Sequence, residues 1–325
     1  MKLFCSALVV ILLVLVASPA NSRTWYVKVD GSGDAPTIQA AIDSATTGDD
    51  VLVAAGTYNC GNQGSCQVTT GMIRMKSGIW LHSESGPVET ILDPSDLGGR
   101  VIYCENVAAG AVIEGFTIRG GSMDGFPGVG GGGIRCVNSD LEIVGNVIAD
   151  NVTSDVFGGS GYGGGIELAG TGGEIRGNTF MRNDGVSGAA ISCGASSSPV
   201  ISQNIITGSL GGVALVCDGG SAPTVTCNDF WDNEGGDATC TLGADNVFAD
   251  PMFCDAPADD YSLHEDSPCA TDNSPAGCGL IGALSVGCWG APLSPVVLVL
   301  LLVCIGTLGV LRLMRGRIGY RVERE

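Results

Sequence analysis

Residues 143–151 read Ile143-Val144-Gly145-Asn146-Val147-Ile148-Ala149-Asp150-Asn151, and the pattern returns as Gly177-Asn178-Thr179-Phe180, Gln203-Asn204-Ile205-Ile206 and Cys227-Asn228-Asp229-Phe230. It appears earlier, without the Asn, as Gly115-Phe116-Thr117-Ile118. The Asn positions are spaced 32, 26 and 24 residues. Three residues before them stand Ile143, Ile175, Ile201 and Val225; two after stand Ile148, Phe180, Ile206 and Phe230; five after stand Asn151, Asn183, Ser209 and Asn233. A second strand recurs upstream as Gly133-Ile134-Arg135-Cys136, Gly165-Ile166-Glu167-Leu168 and Ala190-Ile191-Ser192-Cys193.

Each unit is therefore a set of short alternating strands broken by Gly and Asn bends. One unit cannot bury its apolar face alone, whereas stacked units about 4.8 Å apart share a continuous core. Asn at a recurring bend tolerates a left-handed backbone, and its amide can bond up and down the stack. A leucine-rich repeat would need a Leu-x-x-Leu-x-Leu pattern, which is missing. A β-sandwich would not align columns at coil-length spacing.

The flanks continue the scheme. Trp25-Tyr26-Val27 and Val51-Leu52-Val53 read as strands, and Pro36 to Ile42 carries apolar residues at helical spacing, suited to capping an open stack. At the far end, Asp250 to Phe253, Asp260 to Leu263 and Gly279 to Ala283 read as a closing segment. With these residues the chain resembles the pectin-lyase-like superfamily, especially its exported bacterial members. Asp30-Gly31-Ser32-Gly33-Asp34, Thr37-Ile38-Gln39-Ala40-Ala41-Ile42 and Gly56-Thr57-Tyr58 also resemble the start of pectinesterases. The resemblance covers most of residues 24–284 and implies an all-β, right-handed parallel β-helix with an N-terminal amphipathic helix cap. One such fold carries many activities.

The ends imply export. Lys2, the apolar run Leu3 to Val16 and the small residues Ser18 and Ala20 predict a signal peptide over 1–20, with an uncleaved anchor as the alternative. Ala291 to Leu311 is 21 uncharged, mostly aliphatic residues, and about 20 cross a bilayer. Arg312, Arg315, Arg317, Arg321 and Arg324 follow, so the expectation is a body (21–290) outside, one transmembrane helix (291–311) and a basic cytoplasmic tail (312–325).

Without Lys2, the five tail arginines, Glu323 and Glu325, the body holds 32 acidic and 9 basic residues, a net charge of −23. That field repels nucleic acid and attracts cations such as calcium; simple solubility is the plainer reading. Setting aside Cys5 and Cys304 leaves 12 cysteines, an even number that favours disulfides in an oxidising compartment. Cys60 and Cys66 flank a small loop, while Cys104 with Cys136 and Cys193 with Cys217 lie one coil apart, so three bonds are expected. The alternative is that stacked thiols pack as small apolar groups.

No catalytic residue stands out. The superfamily's enzymes act on acidic polysaccharides, and their characteristic segments (Asn-Thr-Asp, Gly-His-Gly, Arg-Ile-Lys, Gly-Arg-Pro-Trp) are missing. His82 and His264 read as surface or packing histidines. If Ile134 and Cys136 point inward, Arg135 points out and Glu167 follows in its column; Glu142 and Glu174 share another, with Arg176 near. Stacked carboxylates bind a cation or hold a raised pKa, unless they form a solvated, neutralised face. Asp229, Asp232, Glu234 and Asp237 are an acidic group able to ligate calcium through oxygen. Phe126, Phe157 and Tyr162 lie in long loops on one side, where aromatic faces suit sugar rings or simply fold back. Three functions stay open, in this order: a non-catalytic surface protein binding polysaccharide or a partner, a lyase or hydrolase with an unfamiliar site, and a structural envelope protein.

Overall fold

The computed structural model describes residues 22–64, 66–95, 98–123, 130–154 and 161–289. The expected signal peptide, transmembrane helix and cytoplasmic tail, with Phe126 and Phe157, lie outside the described residues. Among the described residues no helix is long and apolar enough to cross a membrane.

The chain winds as a right-handed parallel β-solenoid of about six turns. Three long parallel sheets form its main walls. Sheet I has eight strands, from Thr24–Val27 through Trp80–Ser83, Leu141–Val144 and Glu174–Arg176 to Thr224–Thr226. Sheet II has seven, from Gly56–Tyr58 through Val147–Ala149 and Thr179–Met181 to Asp229–Trp231. Sheet III has six, from Ile73–Arg74 through Ile102–Glu105, Ile134–Val137 and Ile166–Ala169 to Ile191–Gly194 and Leu215–Cys217.

Strand alternation puts one residue column of each sheet inside. Leu81, Ile113, Ile143, Ile175, Ile201 and Val225 stack in sheet I. Ile118, Ile148, Phe180, Ile206 and Phe230 stack in sheet II. Ile102, Ile134, Ile166, Ile191 and Leu215 stack in sheet III. All are buried in one core. The helix Ile38–Ser44 is N-capped by the Thr37 side chain and sends Ile38, Ala41 and Ile42 into the same core, as its spacing predicts.

The I-to-II corner is held by the expected Asn ladder. Asn146 Nδ2 donates to Asn178 Oδ1 at 3.1 Å, Asn178 to Asn204 at 3.0 Å, Asn204 to Asn228 at 2.9 Å and Asn228 to Asn246 at 3.1 Å. The same oxygens also accept the backbone N–H of the Asn one coil earlier. The left-handed backbone, however, is one residue earlier than expected, at Gly145, Gly177, Gln203 and Cys227. The Asn itself is fully buried, because its amide replaces the ladder bonds that the bend interrupts. A second corner repeats this at Asn151, Asn183, Ser209 and Asn233, after left-handed Asp150, Arg182, Gly208 and Asp232.

The closing segment departs from expectation. Residues 238–247 continue the stack, through bridges from Ala238 to Leu215 and Val247 to Asp229. Residues beyond 250 do not cap the end. They turn back along the outer face of sheet II, where Leu263, Cys269, Cys278 and Ile281 cover Ile205, and Tyr261 covers Val147 and Ala149. The reason is in the outward column, where Val147, Thr179 and Ile205 leave an apolar strip that needs cover.

Among the described residues four disulfides form: Cys60–Cys66, Cys217–Cys240, Cys227–Cys278 and Cys254–Cys288. The first was expected. The column alignments were also right, since Cys104 faces Cys136 and Cys193 faces Cys217 in register. The two inter-coil bonds expected from them do not form. Cys104, Cys136 and Cys193 are buried free thiols packed in the core, and Cys217 bonds its other neighbour, Cys240.

Candidate functional site

The outer face of sheet III gathers the sequence's outward candidates. Register places Arg74, Tyr103, Arg135, Glu167 and Ser192 in one column on successive strands. Arg135 and Glu167 are thus neighbours, as the alternation predicts, with Arg135 Nε 2.9 Å from Glu167 Oε2. The Arg135 Nε–H is not aimed at that oxygen and has no aligned acceptor. Glu167 Oε2 instead accepts the Gly130 N–H at 3.2 Å.

Glycines let the backbone close over this pair. A Cβ on Gly130 would strike the Tyr162 carbonyl and lie 2.9 Å from Glu167 Oε2, and Gly163 has φ +59. The Gly-rich runs are therefore close-approach corners, and they make an outward carboxylate only 8% exposed. Burial pushes the Glu167 carboxyl up; Arg135 and Arg100 pull it partly back, leaving it above the usual range.

Arg100 was missed in the sequence. It is 1% exposed and is the largest fully buried side chain among the described residues. Its Nε donates to Gly131 O at 2.9 Å, its Nη2 to Gly130 O at 2.6 Å and its Nη1 to Thr69 O. Its guanidinium lies 5.4 Å from the Tyr103 ring centroid. Burial pushes Arg100 down to about 10, so it stays charged at neutral pH. The only sequence signal was a base standing just before a strand in an acidic chain.

Two cavities flank the column. One, of about 290 Å³, is lined by Gln39, Asp43, Arg74, Lys76, Tyr103 and Glu105. The other, of about 220 Å³, is lined by Tyr162, Glu167, Ser192, Ala195 and Asp218. Four of the body's nine bases (Arg74, Lys76, Arg100 and Arg135) border this strip, against Asp43, Glu105, Glu167 and Asp218. The strip is charge-balanced while the body carries −23.

A family described as right handed beta helix region matches residues 59–250. The chain belongs to that family. None of the curated proteins compared with it matches. Among solved structures it is similar to pectate lyase Pel9A, at 12% identity over 82% of this chain and 97% of that one, TM-score 0.36. It is also similar to a pectin methylesterase from carrot, at 14% identity over 72% and 91%, TM-score 0.28.

Other candidates in this β-helix are placed elsewhere. Glu142 and Glu174 do stack in register on sheet I, and Arg176 lies 3.9 Å and 3.5 Å from them. All three are half-exposed, which makes this a solvated, neutralised face. The acidic group after Cys227 does not converge. Asp229 is buried beneath the returning segment, and Asp232 is a left-handed corner residue. Glu234 accepts the Gly211 N–H at 3.2 Å, and Asp237 accepts the Asn233 side-chain amide at 3.0 Å. Among the described residues no group of three or more His, Cys, Asp or Glu could hold a metal ion. His264 lies 3.6 Å from Asp266 at the surface, and His82 lies under Trp80.

Proposed function

We propose that this chain is an exported β-helix protein, anchored by Ala291 to Leu311, that holds a polysaccharide along the outer face of sheet III without turning it over. One observation carries the reading: an Arg–Tyr–Arg–Glu column, set in a charge-balanced strip with two cavities, on a body of net charge −23. Guanidinium forks bind carboxylates and hydroxyls in the plane, and tyrosine rings offer flat apolar faces to sugar rings. The missing catalytic segments support binding without turnover. A glycan-cleaving reading rests on Glu167 and Asp218 lining one cavity, with Glu167 holding its proton more tightly than usual.

The test is a screen of anionic and neutral polysaccharides on residues 21–290, with and without calcium, reading binding and product release together. Binding that Arg135→Ala weakens about tenfold, with no reducing ends or unsaturated uronides released, is the expected result. Release of products that Glu167→Gln abolishes would replace it with the cleaving reading. No binding to any glycan would leave the structural role. For topology, alkaline phosphatase fused after Gly290 should be active, and the reverse result would overturn the orientation.

A further inference from the structure

Sheet I carries a second feature, remote from the sheet III column. Trp80 and His82 alternate outward on one strand, and their rings stack with centroids 3.9 Å apart and 13° between planes. Trp80 Nε1 donates to Glu114 Oε2 at 2.9 Å. The indole is therefore fixed from below and at its edge, yet the residue is 39% exposed. Its free area falls on the face turned away from the imidazole. A rigid, solvent-facing indole is preorganised for a ligand, since little side-chain entropy is lost on contact.

Its surroundings select the ligand's charge. Asp50 is in register with Trp80 on the preceding strand, and Glu114 is in register with His82 on the following one. Glu84 lies two residues beyond His82 and accepts the Tyr26 hydroxyl at 2.7 Å. None of the ion pairs among the described residues engages Asp50, Glu84 or Glu114. Burial holds His82 below its usual range, so no positive charge forms under the indole at neutral pH.

We infer that the outer face of Trp80, with Asp50 and Glu114, is a binding site for an organic ammonium group. An indole is the best aromatic partner for a cation. The carboxylates beside it are counter-charge that no ion pair among the described residues takes up, and they oppose an acidic sugar. The ammonium is supplied by an amino sugar or by a lysine side chain.

Calorimetric titration of residues 21–290 with a glucosamine tetramer, its fully N-acetylated counterpart and a tetralysine peptide tests this. The glucosamine tetramer or tetralysine should bind, the tighter of the two identifying the source, and the N-acetylated tetramer should bind at least tenfold more weakly. Trp80→Ala should weaken binding about tenfold and Trp80→Phe less, in line with the range of such contacts. Glu114→Gln with Asp50→Asn should weaken it further and flatten its dependence on salt. Trp80 is at the surface, so its variants keep the fold, which circular dichroism checks. Equal binding of the N-acetylated tetramer, or no loss in Trp80→Ala, would overturn the assignment. So would failure of both ammonium probes to bind.

Discussion

Cys193 stands in register with Cys217 on the neighbouring strand, yet Cys217 is bonded to Cys240 one coil further on. Three cysteines share a column, and the middle sulfur can close only one bond. The bond taken is at the C-terminal end of the stack, where the last coil has no further strand to hold it.

Peptide mapping under non-reducing conditions should recover Cys217 joined to Cys240, with Cys104, Cys136, Cys193 and Cys269 alkylated only after unfolding. The pair closes a 23-residue separation, worth about 3 kcal/mol in the chain-entropy model. Cys217→Ser should lower the urea midpoint accordingly. Recovery of Cys193 joined to Cys217 would refute the pairing.

Asn204 receives two bonds from Asn178 and gives two to Asn228. Asn204→Ala keeps the backbone N–H bond to Asn228 but takes the acceptor from the Asn178 N–H and the side-chain donor from Ile175 O and Asn228 Oδ1, at a cost of about 3 kcal/mol. The second ladder is interrupted at Ser209, whose hydroxyl is buried without a partner. Ser209→Asn should restore the run and raise stability by about 1 kcal/mol. Urea unfolding of the two variants should shift in opposite directions.

Asp229 makes the clamp of the returning segment sensitive to pH. Its carboxylate oxygens accept the Ala249 N–H at 3.2 Å and the Cys269 thiol at 3.3 Å, while Asp250 and Asp237 oppose its charge. Burial pushes its pKa up from 3.8 to about 7. A raised folded value means that the native state binds the extra proton, so stability is greatest at the acid end and falls as pH rises from about 4 to about 7. Asp49, lowered to about 2 by backbone N–H bonds from Thr46 and Arg23, acts oppositely, losing stability only as pH falls below about 4. Urea midpoints at pH 5 and pH 8 should differ in the wild type, with pH 5 the higher. Asp229→Asn should remove most of that difference, and an unchanged difference would show that another group is responsible.

Arg100 donates to carbonyls of Thr69, Gly130 and Gly131, and so joins the sheet III corner across adjacent coils. Arg100→Met should cost about 3 kcal/mol, because the buried carbonyls of Gly130 and Gly131 lose their charged donor, as does the more exposed one of Thr69. Arg100→Lys should recover only part of this, since one ammonium cannot match a planar fork. Thermal unfolding of the two variants gives the comparison.

The columns were legible because a solenoid repeats its geometry, and geometry that repeats leaves repeated residues. Ile143, Ile175 and Ile201 announce the inward column, and Arg135 and Glu167 the outward one. What does not repeat was hidden. Arg100 has no counterpart one coil away, so no alignment singles it out. The cover over Ile205 comes from residues far along the chain, and its apolar side chains look the same whether they cap an end or line a side. Cysteine register was readable, but the choice between two partners, each one coil away, was not. The Trp80 platform depends on two rings of one strand lying flat together, which alternation alone does not dictate.

The Asn ladder runs in one direction, each amide giving to the next coil and receiving from the one before. Every interior coil therefore presents the same connector above and the same socket below, whatever its length, as the 32-, 26- and 24-residue spacings show. Such a chain can lengthen or shorten by whole coils through duplication or deletion of a segment bounded by two ladder asparagines. Loss of part of a coil would break the polar column and misalign three hydrophobic ones. In this protein a viable change of size comes in whole turns, and a corner can take an inserted loop of any length provided that its asparagine is kept.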